Sequence, residues 1–178
     1  MDVMQAISSR YSHKEEFLPD EVPLEVLNRI AQAGLDAPSG NNRQTVRLII
    51  LPDRKILDSV CEVHPTAGLR TAPAAIAVLT DSSQIPPDAM NFEKEDYSAA
   101  VENMLLAATG LGFVSLWLDS PFFCSEREKK ARDLLGAPDH FRLWAVLPIG
   151  KPKSEGSKRE KLAFAERVSY GRYGCKTP

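Results

Sequence analysis

Two short polar segments near the start of the chain hold the residue types best suited to gripping a ligand: RYSHK, Arg10 to Lys14, and APSGNNRQ, Ala37 to Gln44. The first places two cations and a hydroxyl within five residues. An arginine fork, a lysine point charge and a neutral donor together suit a phosphate. The second segment offers amide side chains and, at Gly40, an open backbone. No nucleophile with a paired base, and no metal-ligand spacing among His13, His64 and His140, accompanies them.

Each segment must be delivered by the helix before it. Val3, Ala6 and Ile7 make a short amphipathic helix that carries Arg10 at its C-terminal end. A second helix begins after Asp20, with Pro23 near its first turn. It sets Leu24, Leu27, Ile30, Ala31 and Leu35 at helical spacing and stops before Pro38. Strands are predicted at Thr45 to Leu51, Ala74 to Thr80, Phe113 to Leu118 and Leu143 to Ile149. Between them, the run from about Asp96 to Leu111 reads as a central core helix, with Tyr97, Ala100, Val101, Met104, Leu105, Ala108 and Leu111 on one broad apolar face. A further helix is predicted from about Ser125 to Leu135, with Ser125 and Glu128 as a capping box and its charged residues mostly facing solvent.

The whole chain bounds what these segments serve. Its 178 residues fit one domain, 1–178, with room for a substantial core. Twenty-four acidic against 22 basic residues leave a net charge of -2, which argues against nucleic acid as a partner and for one small anionic ligand. Cys61, Cys124 and Cys175 are odd in number, far apart and without a C-x-x-C pair, as expected for a reducing compartment. The longest nearly apolar run, Met104 to Leu118, contains Thr109, two glycines and Ser115 and falls short of a membrane span. With no long apolar stretch behind Asp2 to read as a signal peptide, a cytoplasmic location is expected.

Alternating helices and strands alone would suggest a parallel, doubly wound sheet. The G-x-G-x-x-G turn of such folds is missing, and the first strand follows two helices. The segments instead resemble the two N-terminal cofactor signatures of the FMN-dependent nitroreductase family. That resemblance implies an α+β fold with a mainly antiparallel central sheet flanked by helices and completed in a homodimer. It places Arg10 and Ser12 at the flavin phosphate, Lys14 toward the ribityl chain and pyrimidine edge, and Tyr11 in the same flavin-binding set. Pro38, Ser39, Gly40 and Asn42 match the positions that cradle the flavin from the partner subunit, followed by Gln44. Thr45 and Val46 replace the usual proline and tryptophan.

The resemblance continues along DYSAAVENMLLAATGLGFVSLWLDS, Asp96 to Ser120, where it implies that backbone N–H groups near Asp119 and Ser120 face the flavin ring. In the C-terminal stretch Lys161 best matches a late phosphate-binding cation, with Arg159 as the neighbouring candidate. The implied activity is an FMN-containing oxidoreductase that takes hydride from NADH or NADPH and passes electrons to a nitroaromatic, quinone or other flat acceptor in a ping-pong cycle. No catalytic side chain and no metal is implied, because the flavin carries the chemistry. A flavin-binding carrier or sensor without turnover, and a specialised flavin enzyme of the same fold, are the alternatives.

Overall fold

Residues 74–81 are buried along their whole length, and the layers of the molecule are arranged around them. In the computed structural model, which describes residues 1–177, the helices are α1 (Val3–Ser9), α2 (Leu24–Leu35), α3 (Arg54–Val63), α4 (Ala67–Thr71), α5 (Glu93–Gly110), α6 (Ser125–Leu134) and α7 (Phe164–Arg167). The strands are β1 (Val46–Leu51), β2 (Ala74–Asp81), β3 (Val114–Ser115) and β4 (Phe141–Gly150). They form one sheet in the order β1-β2-β4-β3, and every neighbouring pair is antiparallel.

The continuous apolar run of β2 follows from burial on both faces. Ala74, Ile76 and Val78 pack with α2 and α5, through Leu27, Ile30, Val101, Met104 and Leu105. Ala75, Ala77 and Leu79 face the opposite layer, with Leu57, Val60, Leu69 and Ala131 from α3, α4 and α6. The register along β2 and β4 shifts between Val78 and Leu79, which pair with Ala145 and Leu143. Trp144 is the extra residue of this bulge. Its ring stacks on Tyr97 of α5 at 4.8 Å, and its Nε1 donates to Thr80 Oγ1 at 2.7 Å.

Local chemistry sets the helix ends that matter for the site. Asp2 and Gln5 cap α1 reciprocally, Asp2 Oδ1 accepting from Gln5 N at 2.8 Å and Gln5 Oε1 accepting from Asp2 N at 3.0 Å. At the other end Arg10 takes an extended conformation and directs the chain away from the helix. Helix α2 starts at Leu24, directly after Pro23, and closes at Asp36.

Three expectations are corrected. The strand predicted from Phe113 to Leu118 pairs only at Val114 and Ser115, then leaves β4 and touches it again through Leu118 and Val146. Ser125 is the first residue of α6 rather than its cap, and Glu128 accepts instead from Leu143 N at 2.9 Å and pairs with Arg132. Arg132 is itself buried, so the polar side of α6 is partly interior. Helices α3 and α4 fill the stretch between β1 and β2, where a helical separation of the strands was expected without bounds. Asp53 and Thr66 cap them, accepting from Lys55 N and Leu69 N.

Candidate functional site

Beyond Arg10 the chain runs extended beside β3, and its side chains alternate. His13 is buried, while Ser12 and Lys14 are exposed. Backbone contact fixes the strip: His13 N donates to Ser115 O at 3.0 Å, and Ser12 pairs in parallel with Ser115. The His13 ring packs edge-on against Phe17, with centroids 4.7 Å apart, and its Nε2 lies 3.0 Å from Glu16 O. A buried odd position thus turns the even positions, the hydroxyl and the ammonium, outward.

The C-terminal segment approaches the same strip. Leu18 N donates to Lys151 O at 2.9 Å and Lys153 N to Glu16 O at 3.0 Å, with an ion pair between the Lys153 and Glu16 side chains. The Lys153 hydrogen bond, and next its charge, hold the Glu16 carboxyl below the ordinary glutamate range. Farther on, Gly156 passes over the Tyr11 ring so closely that a Cβ there would lie 2.0 Å from Cε2. Lys158 Nζ donates to Ser8 O at 2.6 Å, a cation at the carbonyl end of α1.

Between the two segments lies a hollow of about 440 Å³, lined by residues 10–15 on one side and by 155–159 and 161 on the other. Arg10, Lys14, Lys158, Arg159 and Lys161 bring five cations to it, against the two carboxylates Glu15 and Glu155. Arg10 Nε is shut off from solvent, 3.2 Å from Glu102 Oε1 of α5 but without hydrogen-bond geometry. Its charge is held there, and the terminal nitrogens remain for a second anion. Among the described residues, no carboxylate lies within ion-pair distance of Lys14, Arg159 or Lys161. This donor set fits a phosphate monoester, which accepts charge-assisted hydrogen bonds through three oxygens.

The second predicted segment forms a separate structure. Ser39 to Thr45 make a tight loop in which Asn41, Asn42 and Gln44 all have φ between 52° and 54°. Asn42 N donates to Ser39 O at 2.9 Å and Gln44 N to Ser39 Oγ at 3.0 Å. From below, buried Asp96 of α5 accepts from Gly40 N at 2.7 Å and from Thr45 Oγ1 at 2.6 Å. Pro38, Ser39 and Gln44 line a smaller hollow of about 160 Å³ that shares no lining residue with the first. Gly40 and Asn42 flank it without lining it.

The structure therefore brings Arg10, Tyr11, Ser12, Lys14, Arg159 and Lys161 together, and leaves Pro38, Ser39, Gly40 and Asn42 outside that hollow. Asp119 and Ser120 line neither hollow; they open the 3-10 turn at Ser120–Phe123. Burial first, and to a lesser degree the Asp119 charge, raise the Tyr97 phenol above its usual value. Sequence reasoning missed Glu102, Gly156, Lys158 and Asp96. Of these, only Lys158 carried a signal, as part of the basic run beside Arg159 and Lys161. Among the described residues no group of His, Cys, Asp and Glu is arranged for a metal, and no helix is long and apolar enough to cross a membrane.

A helix-flanked antiparallel sheet with a cation-lined hollow beside it defines an α+β protein. The comparisons make that class specific: the model of the Nitroreductase family matches residues 7–64 and 62–151, and the chain belongs to that family. A Methanothermobacter thermautotrophicus protein named "Putative NADH dehydrogenase/NAD(P)H nitroreductase" is 33% identical over 163 residues, 90% of this chain and 82% of its own. A crystal structure carrying the same name, from Parabacteroides distasonis, superposes with a TM-score of 0.84 at 28% identity, covering 96% of this chain and 98% of the other. A "putative nitroreductase in complex with fmn" from Desulfovibrio desulfuricans gives a TM-score of 0.82 at 26% identity, covering 94% and 95%. The expected fold class is thereby established, and with it an oxidoreductase of nitroreductase type.

Proposed function

We propose that the chain is an FMN-dependent oxidoreductase, acting as one domain in a homodimer, that takes hydride from NADH or NADPH and reduces a nitroaromatic, quinone or similar flat acceptor. The observation that carries this reading is the cation-lined hollow, where Arg10, Ser12 and Lys14 meet Arg159 and Lys161 across some 150 residues of sequence. Family membership and the FMN named with the Desulfovibrio desulfuricans structure support the choice of anion.

Arg10, Ser12, Arg159 and Lys161 would hold the phosphate, and Gly156 lets the C-terminal segment lie against the Tyr11 ring beside them. Lys14 supplies positive charge farther along the ligand. When bound, the flavin accepts a hydride and returns two electrons, so that donor and acceptor use one ring face in turn. Asp119 and Ser120 would offer backbone N–H groups to the ring edge, and the Pro38 to Asn42 loop of a second copy would cover the flavin.

The test is direct. Cofactor released by denaturation is identified by mass, and the reloaded protein is mixed anaerobically with NADH or NADPH. FMN recovery and bleaching of its visible band are expected, and, once a quinone or nitroaromatic is added to reoxidise the flavin, parallel double-reciprocal plots. FAD alone would refute the cofactor assignment. FMN that neither nucleotide reduces would leave a carrier or sensor.

A further inference from the structure

The loop from Ser39 to Thr45 combines two properties that rarely coincide. Pro38, Asn41, Asn42 and Gln44 are exposed, yet three non-glycine residues sit in the left-handed region. Asn tolerates that region, Gln gains nothing from it, and such conformations persist only where surrounding contacts over-determine them. Here the contacts come from beneath. Arg43 Nη1 donates to Met90 O at 2.6 Å, and Gly40 lies against the Phe92 ring, where a Cβ would meet carbon at 2.3 Å. Both oxygens of Asp96, which is 2% exposed, are spent on the two ends of the loop, Gly40 N and Thr45 Oγ1.

A buried carboxylate is not required for packing, since apolar side chains of similar volume do that as well or better. Nor is Asp96 needed to dock α5 on the sheet. Glu93, one turn earlier, already reaches Thr80, which in turn receives Trp144 Nε1. What is left to Asp96 is to tie both ends of a strained, outward-facing backbone to α5. A loop fixed in this way binds without first having to be ordered.

We propose that Asp96 is a positioning residue for ligand binding, with the Thr45 hydroxyl as its required partner, and that together they keep the Ser39–Thr45 loop in the shape that receives the flavin. This role rests on the FMN reading above. It also gives a physical reason for Thr45 at a place where the resemblance led us to expect proline: proline has no hydroxyl to donate, and the threonine supplies the second ligand of the carboxylate.

The experiment uses the full-length protein with Thr45→Val, which keeps the shape and removes the donor, and Thr45→Ser, which restores it; Asp96→Asn is the second line. Amide exchange of the peptide spanning residues 38–46 is measured in flavin-free protein, FMN affinity by quenching of flavin fluorescence, and melting temperature alongside. Thr45→Val is expected to speed exchange in the loop and weaken FMN binding about ten-fold, the loss of one hydrogen bond to a charged group. Protection of β2 and β4 should stay as in wild type, and Thr45→Ser should return the FMN affinity to within about two-fold. A lower melting temperature with unchanged loop exchange and unchanged affinity would make the pair merely structural and overturn the proposal. Wild-type protein that takes up no FMN would instead defeat the proposed function, and the positioning role with it; FMN binding indifferent to Thr45→Val defeats the positioning role alone.

Discussion

The cation-lined hollow and the Ser39–Thr45 loop prepare for a ligand in opposite ways. Around the hollow, Arg10 is held by Glu102 and Lys158 by Ser8 O, while Lys14, Arg159 and Lys161 lie on the surface and are left for an anion to order. In the loop the charge is a single buried carboxylate, and backbone and short amides are presented already fixed. The first arrangement yields affinity through charge and is weakened by salt; the second yields shape, which salt barely touches. Grip and fit are thus handled by different parts of the chain.

The largest expected effect breaks the hollow. Arg10→Ala should weaken FMN retention by roughly 1.5 to 3 kcal/mol, one to two decades, as expected for a lost charge-assisted contact. Arg142 is the control, since it lies over the Trp144 ring at 4.0 Å and outside both hollows. Its change to Ala should leave retention within about two-fold. Equal retention by both variants, measured by equilibrium dialysis at two salt concentrations, would remove Arg10 from the site.

The two hollows share no lining residue, and the proposed function has each flavin draw its grip from one copy and its fit from the other. An Arg10→Ala chain mixed with an Asn42→Ala chain should then bind FMN better than either parent, through one restored site per mixed dimer. Up to half the wild-type sites are recovered in such dimers if each flavin draws on both copies. Failure of mixing to raise FMN binding, with mixed dimers verified by mass, would place both segments in one subunit's site.

What the sequence disclosed follows the same division. The hollow was legible because its residues are charged and contiguous: Arg10 to Lys14 and the basic run at Lys158 to Lys161 stand out without any knowledge of contacts. Glu102 and Asp96 did not stand out, since their partners lie 92 residues away at Arg10 and 56 and 51 residues away at Gly40 and Thr45. For the fold, α2 and β2 were readable from their apolar periodicity and their runs of buried residues. The segment after Ser115 was legible only in part: its antiparallel register with β4 resumes at Leu118 and Val146, but the ladder is interrupted at Leu116 and Trp117. Helix α3 sets Leu57, Val60 and Cys61 on one buried face behind the cap Asp53, a helical spacing present in the sequence, whereas the five residues of α4 are too few for a period to show and leave only the cap Thr66 as a signal.

The smallest expected effect sharpens the contrast within the hollow's own frame, at the Glu16–Lys153 pair that ties the N-terminal strip to the C-terminal segment. The pairing holds the folded Glu16 carboxyl below its ordinary value. A depressed folded value contributes stability that is complete above the ordinary glutamate range and lost as pH falls through the depressed value. Both side chains are more than half exposed, so the contribution is small and salt-screened. Its trace should be local: at neutral pH, Glu16→Gln exchanges the amides of Leu18 and Lys153 faster than wild type, and the two proteins converge once the pH is below the depressed value. Using flavin-free protein keeps phosphate titration out of the comparison, and reading both proteins at each pH cancels the intrinsic exchange rate. Identical protection at neutral pH would mean that the two backbone hydrogen bonds, from Leu18 to Lys151 and from Lys153 to Glu16, hold the segments together without help from the ion pair.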